Sequence, residues 1–123
     1  IMALFPDSAN DALNAAIALQ EALVQFNRDK QISIEAGIGI HTGKAMLGTV
    51  GDKFRIDGSV MGDTINIASR IEGLTKLYKT NILMSGMTLD ALQQQDHYRL
   101  RRIDHVILKG RKSPLVLWQL LDG

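Results

Sequence analysis

The chain predicts an α+β domain, and three stretches predict it. Ala12, Ala16, Leu19, Leu23 and Phe26 recur at alternating four- and three-residue steps, the period of a helix with one apolar stripe. Ile34, Ala36, Ile38 and Ile40 alternate with Glu35, Gly37, Gly39 and His41, the period of a strand. Tyr98 to Leu108 and Leu115 to Leu121 read as closing strands on either side of a basic turn, Lys109 to Pro114. Helices and strands that intermix, with hairpins at the end, give an antiparallel sheet with packed helices.

The elements follow in order. Ile1 to Phe5 reads as an apolar strand ended by Pro6-Asp7-Ser8. Ser8 followed by Asp11 resembles a capping box with Asp in place of Glu, so the long helix starts there and runs to about Asp29. In the strand Ile34 to His41, the glycines on one face predict that something packs very close to it. Ala45 to Val50 and Phe54 to Val60 read as two short strands around Gly51-Asp52-Lys53. A helix from Asp63 to about Lys76 follows, then a strand Asn81 to Ser85 and a short helix Met87 to Gln94.

Composition bounds the function. A length of 123 residues allows one domain and a modest core. The net charge of +1 argues against a nucleic-acid partner held mainly through phosphate contacts. There is no cysteine, hence no disulfide scaffold and no thiolate metal site, which is neutral to mildly favourable for a cytosolic setting. No apolar run approaches the ~20 residues of a membrane span, and no signal peptide is visible. His41, His97 and His105 are scattered and form no ligand cluster. Gly37 to Gly43 fails as a dinucleotide loop, because its spacing is one residue too long and no helix pattern opens there. Gly43-Lys44-Ala45 fails as a phosphate loop, because Ala45 is not Ser or Thr.

The most informative stretch is Val60 to Gly73. Gly62 suits a tight turn, and Asp63 or Thr64 suits a helix cap. Asn66 and Arg70 are spaced i, i+4 and project from one face, flanked by Ile65, Ile67, Ile71 and Leu74. An amide and a guanidinium one turn apart can bind a sugar oxygen and a phosphate. Each residue alone also reads as a solvated or ion-paired helix residue.

Gly62-Asp63-Thr64-Ile65-Asn66-Ile67-Ala68-Ser69-Arg70 closely resembles the signature of class III nucleotidyl cyclases, the adenylyl and guanylyl cyclase catalytic domains. Gly37-Ile38-Gly39-Ile40-His41-Thr42-Gly43 matches that family's strand and turn, Leu47-Gly48-Thr49-Val50-Gly51 its following glycine pair, and Leu108-Lys109-Gly110 a motif near its end. Ile1 to Pro6 looks like the strand just after the family's second metal-binding aspartate. The resemblance spans essentially the whole chain, in order. It implies a ferredoxin-like cyclase fold, N-terminally truncated, with residues 1–123 as the C-terminal portion of one catalytic domain.

The resemblance also implies roles. Asn66 would orient the ribose and Arg70 would stabilise phosphate charge in the transition state. Ser59 falls at the position that contacts the purine edge. Its hydroxyl leans to adenine by likeness to Thr, without settling the choice, and Asp57, on the same expected strand face, is the alternative. Lys109 fits a phosphate-binding lysine best. Mg2+ or Mn2+ is the implied cofactor, held by two aspartates upstream of this sequence. ATP and a second cyclase domain, in a homodimer, are the implied partners. The catalytic domain would be cytoplasmic, with membrane attachment of the parent protein open. The alternatives are a guanylyl cyclase and a catalytically silent regulatory or dimerisation module.

Overall fold

A computed structural model describes residues 1–43, 47–50, 53–56, 58–108 and 113–121. Asp57 and the basic turn at Lys109, Arg111 and Lys112 lie outside the described residues.

Helix α1, Ala9–Lys30, begins as the sequence predicts. Ser8 takes extended backbone angles and its Oγ accepts from the Asp11 N–H at 3.2 Å, which satisfies one otherwise orphaned helical donor. Arg28 and Lys30 stand in the last turn, where the helix dipole favours cations. Leu13 and Ala16 are buried, whereas Leu19 and Phe26 of the expected stripe are exposed. Only the first half of α1 lies over the sheet.

Among the described residues a four-stranded sheet runs in the order β1-β4-β6-β5, formed by Ile38–Ile40, Ile82–Ser85, Leu115–Leu121 and Arg99–Val106 respectively. β1 pairs parallel with β4, and the other neighbours pair antiparallel. A bulge between Arg102 and Asp104 interrupts the β5–β6 register. Strands β2, Leu47–Val50, and β3, Lys53–Ile56, form a separate antiparallel ribbon. Helix α2 spans Gly58–Leu74, and α3, Gly86–Ala91, follows β4 directly.

The pleat sorts the core into two layers. Ile40, Ile82, Met84 and Leu120 pack with Leu13 and Ala16 of α1 on one face of the sheet. Leu83, Leu115 and Leu117 pack with Ile67 and Ile71 of α2 on the other. β4 is buried at every position, as a central strand covered on both faces must be.

Four expectations are corrected. Ile1 to Phe5 forms no strand; its apolar side chains are exposed, and no strand among the described residues gives it a ladder. The strand expected over Ile34 to His41 shrinks to Ile38–Ile40. Ahead of it, side-chain amides take the backbone groups that a ladder would pair: Asn27 Nδ2 donates to the Ile34 carbonyl at 2.8 Å, the Ile34 N–H donates to Asn27 Oδ1 at 3.0 Å, and Gln20 Nε2 donates to the Ala36 carbonyl at 2.9 Å. Third, β3 ends at Ile56 and α2 begins at Gly58, so Ser59 and Val60 are helical rather than the end of a strand. Fourth, Gly62 and Asp63 lie inside α2, so Gly62 is not a turn residue and neither Asp63 nor Thr64 caps the helix. Glycine in a helix interior costs only about 1 kcal/mol, so local turn chemistry yields to continuation of the helix.

Candidate functional site

The position of α2 is set by glycines. A Cβ on Gly39 would lie 2.5 Å from the Ala68 carbonyl oxygen and 2.9 Å from Glu72 Cα. A Cβ on Gly37 would collide with the Thr75 hydroxyl and lie 3.0 Å from Thr75 Cβ. Beyond the end of β1, a Cβ on Gly43 would collide with the Thr64 hydroxyl. The small-residue face of the β1 stretch, legible as alternation in the sequence, is therefore the bed on which α2 rests. Thr64, Ala68, Glu72 and Thr75 ride over these glycines, and Ile67 and Ile71 beside them are buried.

The opposite stripe of α2 carries Asp63, Asn66 and Arg70, all exposed. Asn66 and Arg70 lie one turn apart, which puts their Cβ atoms ~6 Å from each other. Because α2 starts at Gly58, position 59 belongs to the same helix, seven residues before Asn66. The helical register aligns position 59 with Asp63, Asn66 and Arg70. Three of the five sequence-predicted site positions thus share one face of one helix. The remaining two, Asp57 and Lys109, lie outside the described residues.

This stripe can act on an anionic, hydroxyl-bearing ligand. Asn66 offers both a donor and an acceptor, and Arg70 offers a planar fork of donors that matches phosphate oxygens. Among the described residues no group of three or more His, Cys, Asp or Glu side chains comes together to hold a metal ion. The donors among the described residues do not fit a pair of divalent ions.

One cluster of side chains was not singled out by sequence reasoning. His41 Nδ1 and Ser85 Oγ share a hydrogen bond at 2.8 Å, Ser85 Oγ and Thr88 Oγ1 one at 3.2 Å, and Thr42 Oγ1 donates to Thr88 Oγ1 at 3.0 Å. Ser85 also caps α3, accepting from the Thr88 N–H at 3.3 Å. The signal available in the sequence was Ser85 at the end of an apolar run, with a hydroxyl three residues on.

The turn that follows α2 is tied to β5. Tyr78 OH donates to Asp104 Oδ2 at 3.0 Å, and the His105 N–H donates to Asp104 Oδ1 at 2.7 Å. The His105 N–H foremost, and then the Tyr78 hydroxyl, hold the Asp104 carboxyl below the usual carboxylate range. Desolvation, with the adjacent carboxylate, pushes the Tyr78 phenol up.

The sequence model of the family described as "Adenylate and Guanylate cyclase catalytic domain" matches residues 3–122. An adenylate cyclase of Anabaena cylindrica is 42% identical over 130 residues, covering 98% of this chain and 26% of its own. Adenylate cyclase 1 of Rhizobium meliloti (strain 1021) is 37% identical over 92% of this chain and 17% of its own. The terminal-differentiation-specific adenylate cyclase of Dictyostelium discoideum is 35% identical over 100% of this chain and 6% of its own. The chain therefore spans about a quarter or less of the length of these relatives. Among solved structures, that of a bacterial light-regulated adenylyl cyclase superposes with a TM-score of 0.65 at 18% identity, over 91% of this chain and 32% of its own, a likeness of fold.

Proposed function

We propose, from the premise that the chain belongs to the adenylate and guanylate cyclase catalytic-domain family, that the protein converts ATP to cyclic AMP and pyrophosphate. The observation that carries this reading is the exposed stripe of α2, with Asn66 and Arg70 one turn apart on the face opposite the glycine bed. In the reaction the ribose 3′-oxygen forms a bond to the α-phosphorus while the bond from that phosphorus to the β-phosphate oxygen breaks. The hydroxyl proton is released and pyrophosphate leaves. Asn66 orients the ribose through its amide. Arg70 places its guanidinium against the phosphate oxygens on which negative charge builds. Donors aimed at developing charge contribute more to the transition state than to the ground state, which is the condition for raising turnover.

ATP is favoured over GTP by the hydroxyl at Ser59 and by the adenylate cyclase relatives. Lys109 is the proposed phosphate contact. Because Asn66 and Arg70 face outward, the site is completed by a second cyclase domain laid over this stripe, with a homodimer as the simplest assembly. The divalent ions of the family reaction, Mg2+ or Mn2+, are not assigned to any described residue of this chain. A cytoplasmic catalytic domain is the location that fits ATP as substrate.

The test is direct. The purified full-length protein is incubated with ATP or GTP and Mg2+ or Mn2+, and cyclic nucleotide and pyrophosphate are measured. Equal amounts of cyclic AMP and pyrophosphate support the reading. A preference for GTP makes the protein a guanylyl cyclase, and the absence of any cyclic nucleotide leaves it a silent module.

A further inference from the structure

The structure assigns His41, Thr42, Ser85 and Thr88 a positioning role: their side chains form a hydrogen-bonded chain that holds the 41–43 segment against Thr64 and so sets the seat of the helix segment carrying Asn66. The inference rests on the reading that Asn66 and Arg70 act on the nucleotide.

Three observations lead to it. Gly39 meets α2 from within β1, and Gly37, just before β1, meets Thr75 just past the end of α2; there the ladder to β4 fixes the backbone. Gly43 makes its contact from a segment that lies in no strand or helix. Some other restraint must hold that segment, because an approach this close leaves no slack. Side chains supply it: His41 bonds Ser85 at 2.8 Å and Thr42 bonds Thr88 at 3.0 Å.

Ser85 and Thr88 are, in turn, immobile anchors. Both are fully buried, and buried hydroxyls are costly unless paired. Each hydroxyl carries one proton, and a chain running Thr42 to Thr88 to Ser85 to His41 Nδ1 uses each of the three once. Capping α3 requires only the bond from the Thr88 N–H to Ser85 Oγ. The extension to His41 and Thr42 is superfluous for α3 and serves the 41–43 segment. Thr64, against which that segment rests, precedes Asn66 by two residues on the same helix.

The experiment separates hydroxyl from shape at Thr88 in the full-length protein. Thr88→Val keeps the shape and removes the hydroxyl, and Thr88→Ser keeps the hydroxyl and removes a methyl. The expected result is a kcat for cyclic AMP formation roughly tenfold lower in Thr88→Val, since small displacements of catalytic groups are costly. KM for ATP should stay within about twofold, and Thr88→Ser should keep near wild-type kcat. Hydrogen exchange in Thr88→Val should quicken at residues 41–43 and 64–66 and stay unchanged in α1. Thr42→Val, at a half-buried position, repeats the loss without disturbing the α3 cap, should Thr88→Val not fold.

Wild-type kcat in Thr88→Val, or a loss shared equally by Thr88→Ser, overturns the assignment. Asn66→Ala is measured alongside. If Asn66→Ala loses turnover while Thr88→Val and Thr42→Val do not, the positioning role fails alone. If Asn66→Ala is silent, the site reading fails with it.

Discussion

Gly39 of β1 lies so close to Ala68 of α2 that a Cβ at position 39 would stand 2.5 Å from the Ala68 carbonyl oxygen. This approach fixes how α2 sits on the sheet and hence where its outer stripe points.

The consequence is a sharp contrast between glycines. At Gly39 the obstacle is backbone, which cannot rotate away, so Gly39→Ala must displace α2. Overpacking of this kind costs about 1–3 kcal/mol. At Gly73 a Cβ would meet nothing within 4 Å, so Gly73→Ala should stabilise by about 0.5–1 kcal/mol through helix propensity alone. Urea unfolding of the two variants checks this. A neutral Gly39→Ala would mean that α2 is not seated as described.

The Tyr78–Asp104 bond gives a pH dependence. The Asp104 carboxyl is held below its ordinary value by the His105 N–H and then the Tyr78 hydroxyl. Its unfolded-state value is about 3.9. The stabilisation is therefore present above about pH 4 and fades as pH falls through the lower folded-state value. Tyr78→Phe should be slightly less stable than wild type at neutral pH, and the gap should narrow in acid. The site is exposed, so the effect is small. Unfolding midpoints from acid to neutral pH measure it, and a gap that widens in acid contradicts the assignment.

Base choice tests position 59. If Ser59 meets the purine edge, Ser59→Ala should narrow the ratio of kcat/KM for ATP over GTP, because a mismatched base leaves a polar group unpaired. Ser59→Thr keeps the hydroxyl and should be close to neutral. Asp57→Ala is the control. A ratio that shifts for Asp57→Ala and not for Ser59→Ala places the purine contact two residues earlier.

The parts of the fold that were legible in the sequence are those where one local signal and the tertiary partner agree. Ser8 and Asp11 marked the start of α1, and the Gly37–Gly39 alternation announced a close neighbour, found to be α2. The strands β4, β5 and β6 lie within their expected stretches. The misreadings share a different cause. Apolar alternation at Ile34 promised a strand, but a strand needs a neighbour to pair with, and Asn27 took the role instead. Apolar periodicity at Leu19 and Phe26 promised burial, but α1 outruns the sheet. Ser59 was expected near the end of a strand and Gly62 in a turn, yet neither residue forbids a helix, and α2 runs through both. For the site, the i, i+4 spacing of Asn66 and Arg70 was enough to place them on one face. The alignment of position 59 with them depended on where α2 begins, which local residues did not reveal.

Whether Asn66 and Arg70 act on the transition state rather than on the fold is decided by kcat of Asn66→Ala and Arg70→Ala in the full-length protein, with thermal unfolding measured on the same samples. Each substitution should lower kcat by on the order of 10² while the unfolding temperature stays close to wild type, since both side chains are exposed. Near-normal kcat in both variants, or a loss of activity that tracks a loss of folding, would contradict a role in the transition state.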